Sequence, residues 1–115
     1  MGFSVSRSTR DDVEIVSVAG EMDMGTADQA EAELKRCVEA TDADVIADLS
    51  AVSFIDSTGV RTLLRTFRRL RERQRRLVLV TVDQLVLRVI ILSGISGMIE
   101  IADSVDDAVV RLAAA

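Results

Sequence analysis

Acidic and hydroxyl side chains are concentrated in the segment Asp56-Ser57-Thr58-Gly59. The segment lies between an apolar run and a stretch with helical periodicity, so it is expected to begin a helix, with Asp56 or Ser57 as the cap. At a helix start, unpaired backbone N–H groups and the helix dipole favour anionic oxygens. The helix dipole would stabilise a phosphate on a hydroxyl there by about 0.3 to 1 kcal/mol. Gly59, which has no side chain, is expected to keep the helix start uncrowded. On the residues alone the pattern favours a plain N-cap cluster, because such caps are abundant, and a phosphorylation site is the alternative.

Residues that commonly act as catalysts or metal ligands are scarce. There is no His, which removes the most frequent general base and any Cys/His zinc site, and the single Cys37 cannot form a disulfide within the chain. Neither G-x-x-x-x-G-K-[ST] nor G-x-G-x-x-G occurs. An aspartyl-phosphate receiver would need a Lys late in the chain, whereas the only lysine, Lys35, precedes Asp48. We therefore expect no enzymatic activity, no cofactor and no metal.

Length and composition indicate one domain, spanning residues 1–115. The chain is 49% hydrophobic and only 3% aromatic, so its core is expected to consist of Val, Ile, Leu and Ala. Cys37 falls on the apolar side of a predicted helix and is interpreted as part of this core. The sequence has no signal-peptide pattern and no apolar stretch long enough to span a membrane, so we expect a cytoplasmic protein.

The net charge of −5 conceals an uneven distribution. Residues 61–76 contain eight Arg and one Glu, a net +7, which leaves −12 for the rest of the chain because the total is −5. These arginines, beginning with Arg61, are predicted to occupy the outer face of a helix, either simply solvated or in contact with an acidic partner. No aromatic platform interleaves with them and the rest of the chain is acidic, so we expect no direct binding of nucleic acid.

Apolar runs and periodic stretches predict alternating strands and helices. Strands are predicted at residues 3–5, 13–18, 45–49, 77–82 and 98–101. Helices are predicted at residues 26–40, 57–70, 83–93 and 104–112. Residues 83–93 are apolar nearly all round, so their periodicity fits a helix or a strand, and Asp83 as cap with Gly94 as terminator favours the helix. The first two strands should form a hairpin, with Gly20 closing the second strand, and a loop is expected between the third strand and the second helix. The spacings of Thr26 with Gln29 and of Ser104 with Asp107 are those of capping boxes.

The predicted order, ββαβαβαβα, corresponds to an α/β fold. Helices that follow strands imply crossover connections, and therefore a mostly parallel mixed β-sheet with an amino-terminal antiparallel edge strand and helices packed on it. The third helix has more apolar residues than one buried face requires. Either it lies deep in the molecule, or the segment from Leu85 to Leu92 forms a surface for self-association or for a partner.

Several segments resemble the STAS-domain family of anti-sigma factor antagonists. The most specific are Asp48-Leu-Ser50 and Phe54-Ile-Asp-Ser-Thr-Gly-Val60. Weaker support comes from Gly20-Glu-Met-Asp23 and Leu92-Ser-Gly-Ile95, and the resemblance extends from about residue 12 to residue 112. It implies a single STAS domain.

The resemblance also implies a function and a set of site residues. Thr58 occupies the position of the phospho-acceptor, where Ser is more common in the family, and the surrounding partner-binding surface would include Asp23, Asp56, Ser57, Gly59 and Arg61. The unphosphorylated domain would bind an anti-sigma factor that is also a serine/threonine kinase, and the sigma factor would thereby be released. Phosphorylation of Thr58 would switch binding off, and a serine/threonine phosphatase would restore it. On the residues alone, a turn-capping role of Asp23 is an equal alternative.

Two other functions within the same fold stay open. STAS domains also serve as subunits of lipid or anion transport systems, and as components of stressosome-type scaffolds. In the first case the start of the second helix would contact an ATPase or a membrane protein, and no sigma factor would be involved.

Overall fold

The apolar runs and the amphipathic stretches fold into one five-stranded sheet with helices on both faces. The computed structural model describes residues 2–114. The strands are β1 (Ser4–Arg10), β2 (Val13–Met22), β3 (Val45–Ile55), β4 (Leu77–Val80) and β5 (Glu100–Ala102). The helices are α1 (Ala27–Ala40), α2 (Ser57–Glu72), α3 (Gln84–Leu92) and α4 (Val105–Ala113), with a short 3₁₀ turn at Ile95–Gly97. The predicted order ββαβαβαβα is confirmed.

The strands lie in the order β1-β2-β3-β4-β5, and only the β1–β2 pair is antiparallel. Asp11 and Asp12 form the hairpin turn with φ values of 51° and 65°, a left-handed conformation that Asp tolerates better than most residues. The α/β fold with an antiparallel edge strand is therefore confirmed.

The sheet separates two apolar layers. One contains the buried residues of α1, α2 and α3 together with one face of β2, β3 and β4, and the other contains α4 against the opposite face. Cys37 is fully buried in the first layer, as predicted. Helices α1 to α3 therefore share one face, and the site at the start of α2 lies at the edge where β2 and β3 end.

Strands β2 and β3 are longer than predicted. Gly20 does not end β2; the strand continues to Met22, with Gly20 at φ 107° beside a shift in register. The expected loop after residue 49 is strand as far as Ile55, because the added part of β2 pairs with it down to the pair Met22 and Ile55. Sequence patterning misses this extension because pairing with a neighbouring strand, and not local apolar content, stabilises it.

Other predicted boundaries also differ. Strand β4 ends at Val80, two residues early, and Met98 with Ile99 precedes β5. Thr26 does not cap α1 through its side chain. Its hydroxyl donates to the Glu21 carbonyl at 2.6 Å and accepts from the Asp23 N–H at 3.0 Å, so the turn before the helix uses it instead. The second capping prediction is confirmed in part, since the Ser104 hydroxyl accepts from the Asp107 N–H at 3.0 Å.

The prediction that the arginines of residues 61–76 occupy an outer helix face is confirmed within α2, where four are exposed and Arg69 is half-buried, but it is wrong for Arg75. Arg75, just beyond α2, is buried. Its Nε donates to the Ala43 carbonyl at 2.6 Å and its Nη1 to the Val38 carbonyl at 2.7 Å. Val38 is among the last four residues of α1, whose carbonyls have no partner within a regular helix, and Ala43 lies in the loop before β3. Arg75 thus ties two connections together.

Three further arginines are paired within the described residues. Arg65 and Arg69 both contact Glu31 of α1, at 3.4 and 2.8 Å, and Arg76 contacts both carboxylate oxygens of Glu100 at 2.8 and 2.9 Å. Two carboxylates, those of Glu31 and Glu100, therefore compensate part of the +7 charge locally, which leaves a somewhat smaller basic surface than the sequence indicates.

Helix α3 is covered on one side only. Val86 and Ile90 are fully buried, whereas Leu85, Ile91 and Leu92 are exposed, so the helix does not lie deep in the molecule. Within residues 2–114 there is no helix with the length and apolar character needed to cross a bilayer.

Candidate functional site

The carboxylate of Asp56 caps helix α2. Its Oδ1 accepts hydrogen bonds from the backbone N–H groups of Thr58 at 2.9 Å and Gly59 at 3.1 Å. Between the two candidates for the cap, the structure selects Asp56, and Ser57 is the first helical residue. Two of the donors that were expected to attract an added anion are therefore already occupied by a carboxylate.

The two hydroxyls of the first turn are accessible. Ser57 is exposed and Thr58 is half-buried. In the described part of the chain neither side chain forms a hydrogen bond, although the backbone N–H of Thr58 is bonded to Asp56. Both hydroxyls therefore present oxygen atoms that no internal contact requires.

Gly59 is buried, and its role differs from the one predicted. A Cβ atom at this position would lie 2.7 Å from Cγ1 of Ile55 and 2.8 Å from the carbonyl oxygen of Met22. The expectation that Gly59 leaves the helix start uncrowded is wrong, because the space is filled by β2 and β3. Glycine instead allows α2 to begin directly against the ends of these two strands.

Asp23 lies next to the helix start because β2 and β3 end side by side. Met22 is paired with Ile55, and the Met22 carbonyl accepts the Asp56 N–H at 3.1 Å. Asp23 and Asp56 therefore leave adjacent parallel strands at the same edge. The Asp23 carboxylate accepts the Gly25 N–H at 2.9 Å, which confirms the turn-capping interpretation. That hydrogen bond leaves the half-buried side chain at the surface beside α2.

Exposed apolar side chains flank the carboxylates, and sequence reasoning missed them. Met24, two residues after the end of β2, is 81% exposed. Phe54, the residue before the end of β3, is 47% exposed. Neighbouring residues of a strand face opposite sides, so Phe54 faces outward where Ile55 is buried. Because the sequence predicted a loop here, it gave no indication that Phe54 is exposed. No pattern in the sequence marks Met24.

The site contains both acidic and basic side chains, and the described residues form no metal-binding cluster there. Arg61, one turn into α2, is exposed and makes no ion pair with another residue of 2–114. Near the same edge an open cavity of about 730 Å³ lies beside the turn after β2, between Phe3, Asp23 and Ser53. No group of three or more His, Cys, Asp or Glu side chains in the described range is arranged to hold a metal. The edge is suited to binding a protein surface.

Comparison with known proteins identifies the fold and relatives of this chain. The family model described as STAS domain matches residues 4–108. An anti-sigma-B factor antagonist of Listeria monocytogenes is 34% identical over 102 residues, which are 88% of this chain and 90% of the relative. The crystal structure of an anti-sigma factor antagonist from Mycobacterium paratuberculosis has a TM-score of 0.89 with 28% identity, over 96% of this chain and 94% of that one.

The fold also matches SpoIIAA of Bacillus in its phosphorylated form. The TM-score is 0.69 with 23% sequence identity, over 96% of this chain and 98% of that chain. At this identity the likeness concerns the fold alone.

Proposed function

Because the chain belongs to the STAS-domain family of anti-sigma factor antagonists, we propose that it binds an anti-sigma factor, frees a sigma factor, and is switched off by phosphorylation of Thr58. The relative from Listeria monocytogenes is named for antagonism of an anti-sigma factor and is matched over 90% of its length. The function proposed is regulated protein binding, carried out in the cytoplasm, without catalysis by this chain.

The observation that carries the proposal is the unbonded hydroxyl of Thr58 in the first turn of α2. It lies beside the Asp56 cap, at an edge that also presents Asp23 and the exposed side chains of Met24 and Phe54. A hydroxyl that stabilises nothing inside the protein can be modified without disturbing the fold. The same position carries the family resemblance.

Phosphorylation would introduce charge that the two capped N–H groups of the helix start do not neutralise. A phosphate adds about −1.5 to −2 charges at neutral pH. The N–H groups of Thr58 and Gly59 already bond to Asp56, so they are not free to compensate this charge, and the Asp56 carboxylate repels it. An unpaired charge buried in an interface costs about 2 to 5 kcal/mol, roughly a 30-fold to several-thousand-fold loss of affinity. Such a loss is enough for a switch without refolding.

The partner-binding surface is proposed to consist of the side chains around Thr58. Asp23, Asp56, Ser57 and Arg61 supply polar contacts, while Gly59 acts from inside by holding the helix start against Met22 and Ile55. The apolar contacts of the interface come from Met24 and Phe54, since exposed apolar side chains beside polar groups are typical of interface cores. The anti-sigma factor is proposed to be the serine/threonine kinase itself, and a serine/threonine phosphatase restores binding.

The test uses the full chain and an anti-sigma factor kinase encoded by the same genome, with ATP. Mass spectrometry is expected to find a single phosphate, on Thr58. Thr58→Ala should remain bound to the kinase in the presence of ATP, and Thr58→Glu should bind at least roughly 30-fold more weakly than the unmodified protein.

Ser57→Ala is the matched control for the phosphorylation site only, because it removes the neighbouring hydroxyl and keeps Thr58; it should still take up one phosphate, on Thr58, even if the loss of a contact changes its affinity. Phosphate on Ser57, or equal affinities of Thr58→Ala and Thr58→Glu, would contradict the switch. Absence of binding to any such kinase, together with a neighbouring permease gene, would instead favour a transport subunit.

A further inference from the structure

Helix α3 presents an apolar outer face that no part of the described chain covers. Its inner residues Val86 and Ile90 are fully buried, whereas Leu85 is 68%, Ile91 58% and Leu92 79% exposed. Burying an exposed Leu or Ile side chain is favourable by about 1.5 to 3 kcal/mol. Covering this face with a binding partner would therefore be favourable in free energy.

The exposed apolar residues are concentrated around this helix. Large hydrophobic side chains that are exposed within residues 2–114 number eight, and five of them fall between residues 82 and 98: Val82, Leu85, Ile91, Leu92 and Met98. Isolated exposed apolar residues need no explanation, whereas a cluster rimmed by polar groups marks an interaction surface. This cluster is separate in sequence from the first turn of α2.

A cation lies in the middle of the apolar face. The outer side of α3 forms a shallow groove of about 480 Å³ whose lining includes Leu85, Arg88, Ile91 and Leu92. Arg88 is exposed, and it takes part in none of the ion pairs or side-chain hydrogen bonds formed among the described residues. The groove thus offers apolar contacts on both sides of an unpaired guanidinium.

The position of Arg88 determines which occupant fits. In a symmetric pair of α3 helices that covers both Leu85 and Leu92, the twofold axis passes near residue 88, so the two Arg88 side chains would meet at the desolvated centre, where like charges repel. An anionic bilayer is disfavoured by the chain's net charge of −5. The remaining occupant with complementary charge is a protein segment that carries a carboxylate.

We propose that the outer face of α3 is a second docking surface, which binds an amphipathic helix with a central Asp or Glu between apolar side chains. Leu85 and Leu92 lie two helical turns apart, a separation of about 10 Å. A partner helix matches this span with apolar residues seven positions apart and the carboxylate three or four positions after the first. The carboxylate pairs with Arg88 in a partly desolvated groove, which gives the contact its specificity. The proposed contact uses none of the residues assigned to the Thr58 switch.

The test is a selection from a phage-displayed library of helical peptides on the full, unphosphorylated chain. Selected peptides are expected to share apolar residues seven positions apart with Asp or Glu between them. The tightest of them should bind Arg88→Glu and Leu92→Ser at least roughly tenfold more weakly than the unaltered chain. Replacing the peptide's acidic residue by Lys should restore binding to Arg88→Glu.

Val110→Ser is the matched control, because Val110 is a 67% exposed apolar residue on α4, on the opposite side of the sheet. It should leave peptide affinity unchanged. The proposal is overturned if no selected peptide depends on Leu92, or if the selected peptides lack the central acidic residue. It is also overturned if sedimentation shows a dimer that Leu92→Ser dissociates, or if vesicles containing phosphatidylserine bind through Leu92. Phosphorylation of Thr58 is measured separately, so failure here does not bear on the switch.

Discussion

Gly59 lies so close to Met22 that a Cβ atom on the glycine would stand 2.8 Å from the Met22 carbonyl oxygen. This approach connects the two parts of the site, because Asp23 follows Met22 and Thr58 precedes Gly59. The position of the carboxylate relative to the hydroxyl therefore depends on the packing of one glycine.

Gly59→Ala is expected to destabilise the protein by about 1 to 3 kcal/mol, because the added methyl group must displace backbone at the end of β2. Urea denaturation measures the change. Gly97→Ala is the control, since a Cβ atom at Gly97 meets nothing within 4 Å, and we expect it to stay within about 0.5 kcal/mol of the unaltered protein. Equal effects of the two substitutions would show that the close approach is not a constraint.

Arg75→Ala is expected to cost about 2 to 4 kcal/mol, because it leaves the carbonyls of Val38 and Ala43 without their donors at 2.7 and 2.6 Å. Thermal or urea unfolding detects the loss. Arg73→Ala removes an exposed arginine two positions away and should change stability by less than about 0.5 kcal/mol. If both variants behave alike, the buried hydrogen bonds of Arg75 do not contribute to the fold.

The stability of the β1–β2 hairpin is expected to depend on pH through Glu14. The Thr9 hydroxyl donates to Glu14 at 2.7 Å and the Arg7 guanidinium at 3.1 Å, which lowers the pKa of Glu14 below its ordinary value of 4.5 although burial opposes the shift. Because the pKa of Glu14 is lower in the folded than in the unfolded chain, the ionised carboxylate stabilises the fold at any pH above the unfolded pKa. This contribution is lost as the pH falls from about 4.5 through the folded pKa.

Urea midpoints measured from pH 6 downward should therefore fall less steeply for Glu14→Gln than for the unaltered chain. Glu39→Gln, which removes an exposed carboxylate on α1, serves as the control. Identical pH profiles for Glu14→Gln and the unaltered protein would refute the contribution of this hydrogen-bonded group.

Phe54→Ser is expected to weaken binding to the anti-sigma factor by roughly tenfold or more, since aromatic side chains are common anchors of interfaces. Calorimetric titration measures the affinity, and Val110→Ser again supplies an exposed apolar control far from the site. The urea midpoint of Phe54→Ser should fall only modestly, because the residue is 47% exposed and only the burial of the remaining surface is lost. A loss of stability without a loss of affinity would place Phe54 in the fold and not in the interface.

Much of the architecture was predictable from local patterns. Apolar periodicity located α1, α2 and α4, whereas α3 was predicted from its ends, with Asp83 as cap and Gly94 as terminator. Asp56 and Asp83 do cap α2 and α3. These features depend on neighbours within a few residues along the chain, so composition and spacing determine them. The hydroxyls of Ser57 and Thr58 fall at a helix start for the same reason.

Tertiary structure decided the features that depend on contacts distant in sequence. The extension of β3 to Ile55 arises from pairing with β2. Position 59 requires glycine because the backbone of Met22 packs against it, and Arg75 is buried because it donates to a carbonyl near the end of α1. The exposure of α3 likewise depends on which elements reach it. Pairing and packing partners are set by the folded chain as a whole, so a local sequence pattern cannot reveal them.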